Sequence, residues 1–379
     1  MKKHHWLLSL IVLAALAGIA VWARHRIHFD FGLFRAQLAR ANWGRIAIGV
    51  LCIYAGYVFR SARWALLLRH NQRVPLLSLT GTQVMGFTAV ALIGRVADPV
   101  RPYLVSRKTG LPLSTQIAVY IVERLFDFGS MAILISLALL WLPSAQTVVA
   151  GGHAGIVARA LAPLMQRSPV LGSIVTRFGA LLLTIVAVLI LVLLRLSGNA
   201  VARFFEGPPV PRRAGHAVAH KIRTFHAGLG AVRNLADFGI AASLSLAMWA
   251  LITLSYLETA RAFTASPALA GLSLPRSIVL LAISGAVSVV QLPVLGWFSQ
   301  IAVVAAALGS FFGATPEAAT ACAATLLLVT FLSIIPVGLA WAQFEDVSLR
   351  RIAAESEQAE EQAEEELEAQ SGVDAGAAS

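Results

Sequence analysis

Apolar runs long enough to cross a bilayer recur along this chain, and nothing else constrains its fold as strongly. The runs at 46–68, 115–142, 178–196, 238–263 and 316–341 approach or exceed the ~20 residues that cross a hydrocarbon core as a helix. With 58% hydrophobic and 13% charged residues among 379, and a mean hydropathy of +0.76, the composition excludes a soluble domain. Backbone polar groups inside a bilayer must be paired within the protein. The expected fold is therefore an all-α polytopic membrane protein with about seven or eight membrane-embedded helical segments, two of them broken or re-entrant.

Charge divides the chain in two. Residues 1–344 hold 28 basic and 8 acidic groups, whereas the remaining 35 hold 2 and 11. The sequence reads as a basic membrane domain over 1–343 and an acidic, flexible tail over 344–379. The basic excess suits anionic lipid headgroups, and arginines flanking many spans add to the same count. The two cysteines, Cys52 and Cys322, lie far apart in apolar runs, so neither a disulfide framework nor a cysteine metal site follows.

The stretch from Gly94 to Asp127 carries most of the chemistry. Arg95, Asp98, Arg101, Arg107 and Lys108 stand between apolar segments, and Glu123, Arg124 and Asp127 lie inside the start of the next run. Ionisable groups at membrane depth are costly and mark either a functional site or a structural ion pair. Asp98 before Pro99 predicts a capped helix start, a place where free N–H groups and guanidinium forks suit a phosphate. Glu123 and Asp127, four apart, share a helix face on which they can meet Arg95 and Arg101.

This run resembles the signature of the lysylphosphatidylglycerol synthase transmembrane region family, the flippase-like domain of multiple peptide resistance factors. That pattern is glycine, arginine, small residue, glycine, glutamate, two residues and arginine, followed by an E-R-x-x-D helix. Here it runs Gly94, Arg95, Val96, Ala97, Asp98, Pro99, Val100, Arg101, then Glu123, Arg124, Leu125, Phe126, Asp127. Ala97 replaces the glycine and Asp98 the glutamate. The resemblance implies lipid handling within the membrane. It also implies a second element like P-G-G-x-G-x-x-E, of which this chain keeps Pro293 and Gly296 and places Gln300 near the acid's position.

Residues 1–23 read as an uncleaved first span rather than a signal peptide, with the termini and the basic 197–237 loop cytoplasmic in an inner (plasma) membrane. An interfacial helix is expected around 31–38. Arg60, Arg63-Trp64 and Arg69 look like interfacial anchors closing the second span. The glycine-bearing run 76–93 has basic residues on both sides and reads as a re-entrant hairpin. Glu258 and Arg261 suggest an i, i+3 pair at a span end. The 277–307 run is interrupted at Gln291, Pro293 and Gly296 and carries Gln300 beyond. Two broken segments, one in each half, are the pattern of transporters with a site between repeats.

The expected function is movement of an anionic or modified lipid between leaflets. The alternatives are a transferase acting on a lipid-linked substrate, or a scaffold for a cell-envelope enzyme docked through the acidic tail. The related synthase chemistry resides in a soluble domain for which the residues after Trp341 are too few, so no enzymatic activity is expected. There is no Walker-type glycine loop with lysine. His216, His220 and His226 lack an acid or cysteine beside them, so neither metal nor cofactor is expected. Expected partners are membrane lipids with anionic headgroups and, on the scaffold alternative, an envelope enzyme, but no nucleic acid.

Overall fold

The computed structural model describes residues 29–69, 71–94, 97–141, 235–288 and 295–348, together with Arg351 and Glu355. The proposed spans at 1–23 and 178–196, the loops at 143–177 and 197–233, and Arg95, Gln291 and Pro293 lie outside the described residues. Eleven α-helices and one π-helical segment make up the described secondary structure, and no strand occurs among these residues. In chain order they are α1 (Phe31–Ala39), α2 (Trp43–Leu68), α3 (Leu76–Ile93), α4 (Val100–Thr109), α5 (Leu113–Trp141) and α6 (Leu235–Arg261). There follow α7 (Pro267–Ala270), α8 (Leu274–Val287), α9 (Leu295–Phe312), α10 (Pro316–Leu327), the π segment Leu328–Leu332 and α11 (Ile334–Phe344). Among the described residues four stretches are long and apolar enough to cross a membrane: Trp43–Leu68, Leu76–Ile93, Ala236–Arg261 and Pro316–Phe344. The all-α polytopic expectation holds.

α1 begins where the sequence suggests. Asp30 caps it, accepting from the N–H groups of Gly32 at 2.7 Å and Leu33 at 3.1 Å. α2 and α6 run antiparallel in close contact, because small residues let their backbones approach. Gly49 faces Ser255 and Thr259, and Gly56 faces Met248 and Ile252. Ion pairs close both ends, Arg69 with Asp237 at one and Arg45 with Glu258 at 2.8 Å at the other. Glu258 therefore pairs across helices rather than with Arg261, whose Nε donates to the Leu272 carbonyl at 2.9 Å.

The 76–93 run does not turn back on itself. It forms one uninterrupted helix of 18 residues, about 27 Å long at 1.5 Å per residue. Its glycines are close-packing positions and not breaks: a Cβ at Gly81 would overlap the Trp341 indole, and one at Gly86 would overlap the Arg101 side chain. The return limb is α4, which folds back along α3 after Gly94, itself at φ 92. Met85, Ala89 and Val90 of α3 bury against Val100 and Leu104 of α4. Lys108, near the end of α4, reaches the Ser78 carbonyl at 3.5 Å, two residues into α3. The hairpin exists, but 76–93 supplies only its first limb.

The 277–307 run is split as expected, into α8 and α9. The last long helix carries a π segment between α10 and α11. Such segments free carbonyls from the ordinary ladder. Tyr54 donates to the Ser333 carbonyl at 2.9 Å and Thr88 to that of Ile334 at 3.3 Å. Gly338 lets α11 press against Thr88 of α3.

Candidate functional site: a buried arginine and carboxylate network

Glu123 lies ten residues into α5, about 15 Å along its axis from Leu113. One turn on, Asp127 projects from the same face, and both are buried. α2 presents Arg60 and Arg63, three residues apart and so on one face, towards them. Arg60 Nη1 binds Glu123 Oε1 and lies 3.4 Å from Asp127 Oδ2. Arg63 bridges the same two acids, at 3.1 Å to Glu123 Oε1 and 2.8 Å to Asp127 Oδ1. α6 completes the lower side of the network: Arg63 Nη1 donates to Ser245 Oγ at 2.6 Å and Trp249 Nε1 to Asp127 Oδ1 at 3.3 Å.

From the hairpin comes Arg101, whose side chain is completely buried and whose Nη1 donates to Glu123 Oε1 at 3.3 Å. Its guanidinium lies over two aromatic rings, Phe87 at 4.4 Å and Tyr120 at 4.8 Å. Arg60 covers the same Phe87 ring at 4.9 Å, and Arg124 the same Tyr120 ring at 5.1 Å. Arg124 reaches round its own helix to Glu123 at 2.9 Å and Asp127 at 3.3 Å. Four guanidiniums thus surround two carboxylates, and Asp98 stands at the margin, 4.0 Å from Arg101.

The network is incompletely satisfied. Arg101 Nε and Nη2, Arg63 Nε, Arg124 Nε and Glu123 Oε2 are buried without a hydrogen-bond partner. Unpaired N–H groups on an excess of buried cations are the chemistry of an anion site.

Of the residues singled out from sequence, Arg101, Glu123, Arg124 and Asp127 meet here with Asp98 beside them. Asp98 does not cap α4, whose first turn receives no side-chain cap and starts after Pro99; its carboxylate lies towards Arg101 instead. Arg107 and Lys108 are exposed at the other end of α4, where Lys108 pairs with Glu345 at 2.5 Å. They do not join the network. Arg60 and Arg63, expected at a membrane interface, are buried at its centre. The signal that could have found them is two arginines three apart inside an apolar helix, the cationic counterpart of the Glu123 and Asp127 spacing.

The second broken segment contributes separately. Gly296 and Gln300 are buried in α9, and Gln300 Nε2 donates to Ser284 Oγ of α8 at 3.0 Å. Ser284 also pairs with the Tyr256 hydroxyl of α6 at 2.8 Å. Among the described residues no three His, Cys, Asp or Glu side chains group as a metal site.

The sequence profile of the family described as the lysylphosphatidylglycerol synthase TM region matches residues 6–338, most of the chain. The chain belongs to this family. No curated protein matches it. The lysylphosphatidylglycerol synthase TM region assignment and the four apolar helices together make this a multi-pass membrane protein of lipid-related function. Within that family profile, the Arg101, Glu123 and Asp127 pattern read from sequence is the part that the fold gathers into one buried network.

Proposed function

We propose that the protein moves an anionic lipid between leaflets of the inner membrane, with the headgroup held at the buried arginine network. The observation that carries this reading is the charge imbalance: four guanidiniums converge on two carboxylates, leaving buried N–H donors on Arg63 and Arg101 unpaired. A phosphate diester supplies both the missing charge and the missing acceptors. Transport fits better than covalent chemistry, since Glu123 and Asp127 are each held as carboxylates among several guanidiniums, which makes both weak bases.

The test is translocation of fluorescent anionic phospholipid by the full chain in reconstituted vesicles, alongside mass spectrometry of copurifying lipid. Arg101→Ala is expected to reduce both by about tenfold or more, the scale of a lost charge-assisted hydrogen bond. Glu258→Gln, at the opposite end of α6, serves as the control and is expected to retain them. Equal translocation by both variants would overturn the reading.

A further inference from the structure

As the helices are packed, no anion reaches Arg101. Its side chain is completely buried, and its Nε and Nη2 have no hydrogen-bond partner. Arg101 belongs to α4, ten residues long and flanked by two glycines in the left-handed region, Gly94 at φ 92 and Gly110 at φ 70. Glycine absorbs a change of backbone angle there at little steric cost, so α4 is a short limb with a pivot at each end. On α3, Gly86 packs on Arg101, and Gln83 shares its face one turn nearer Ser78. Gln83 is fully buried and neither of its amide atoms has a partner. Both sides of the α3–α4 seam therefore carry buried polar groups that gain partners only when the seam opens.

The segment after α11 holds this limb from outside. The chain reverses at Asp346, whose φ of 53 is a left-handed conformation that aspartate tolerates better than most residues. The Val347 N–H donates to the Ala342 carbonyl at 2.8 Å, and Val347, like Tyr103 and Trp341, packs on the apolar cluster that joins α3 to α4. Glu345 accepts from Lys108 Nζ at 2.5 Å and from Trp341 Nε1 at 3.0 Å. Glu355 accepts from the Tyr103 hydroxyl at 3.1 Å on one oxygen and from Arg351 Nε at 2.7 Å on the other. Two tail carboxylates thus grip α4, one near its end and one two residues from Arg101. Both contacts are partly exposed, so they are weak enough to release, unlike the buried pairs of the network.

Resting on the anionic-lipid reading above, we infer that residues 345–355 form an autoinhibitory strap, which holds α4 against α3 and keeps an anionic headgroup from Arg101 until it lets go. Release of Glu345 and Glu355 frees α4 to pivot at Gly94 and Gly110 and opens the seam at Gln83 and Arg101. The strap controls access alone and takes no part in holding the headgroup.

The test uses the full chain in reconstituted vesicles with fluorescent phosphatidylglycerol. The double variant Glu345→Gln, Glu355→Gln is expected to translocate it about fivefold faster than wild type, the weight of one or two partly exposed contacts. Glu360→Gln with Glu361→Gln removes the same charge beyond the strap and is expected to leave the rate unchanged. In a Lys108→Cys, Glu345→Cys variant, a short bismaleimide joining the two positions is expected to slow translocation at least fivefold against the same protein left unjoined, a comparison in which any folding defect cancels. A second readout needs no transport: a water-soluble maleimide is expected to label Gln83→Cys about fivefold faster once Glu345 and Glu355 are neutralised. Unchanged translocation and labelling on release, with Arg101→Ala still impaired, would overturn the strap and leave the anionic-lipid reading standing. Faster labelling on release, with Arg101→Ala translocating as wild type, would keep the strap and overturn that reading.

Discussion

Glu123 Oε1 accepts contact from Arg60, Arg63, Arg101 and Arg124 at once, so the four cations depend on it unequally but jointly. Removing this acid leaves buried guanidiniums repelling one another, while removing one arginine leaves three behind. Glu123→Gln is therefore expected to destabilise the protein by about 3–5 kcal/mol, the range for breaking a buried pair. Arg124→Ala is expected to cost markedly less, because Arg124 is partly exposed and Glu123 retains its other partners. Thermal unfolding in detergent decides it, and equal losses for the two variants would contradict the shared-acceptor geometry. The acids were legible from sequence because carboxylates are rare in an apolar helix. Arg60 and Arg63 were not, since arginine beside tryptophan is also what a span end looks like, and only the fold places Arg63 beneath Asp127 and Ser245.

At the scale of elements, the α3–α4 hairpin positions the one network arginine that comes from a short helix. Gly86 is what allows it. A side chain there would strike the Cβ, Cγ and Cδ atoms of Arg101, the root of a buried side chain and not its mobile tip. Gly86→Ala is expected to displace Arg101 and to reduce anionic-lipid binding about as much as Arg101→Ala does, while Gly129→Ala, with open space around it, leaves binding intact. Native mass spectrometry with phosphatidylglycerol makes the comparison. Sequence reading gave this glycine a different meaning: in an apolar run bounded by cations it suggests a break, whereas close approach of another chain segment asks for glycine just as strongly. The same ambiguity did not arise for α8 and α9, where the proline-containing interval between them coincides with the change of helix. Asp98 illustrates a third case. Asp-Pro is a common cap signal, but a buried arginine one turn on draws the carboxylate away.

Across the whole molecule the basic membrane domain and the acidic tail are joined at α4. Lys108 binds Glu345, Trp341 donates to the same carboxylate at 3.0 Å, and Tyr103 donates to Glu355 at 3.1 Å. A hydrogen bond from Arg351 holds the Glu355 carboxyl below its ordinary value, with Tyr103 adding to it. The Tyr103 bond is the part of this lowering that crosses from α4 to the tail, so that part contributes to the closed tail above the ordinary range near ~4.3 and ceases to do so as pH falls through the lowered value. Spin labels at Thr109→Cys and Ser348→Cys are expected to give a narrow distance distribution at about pH 6 that broadens by about pH 3. An unchanged distribution at the lower pH would show the contact to be independent of charge. The division of charge at residue 344 was visible in composition, but which cations the tail would meet depended on the hairpin returning Lys108 to the level of Ser78.

That return has a further consequence, one of parity. A segment that goes in and comes out on the same side adds an even number of traverses, so the sidedness of every helix after it is what it would be without it. Within this architecture the limb that carries Arg101 does not decide the orientation of the rest.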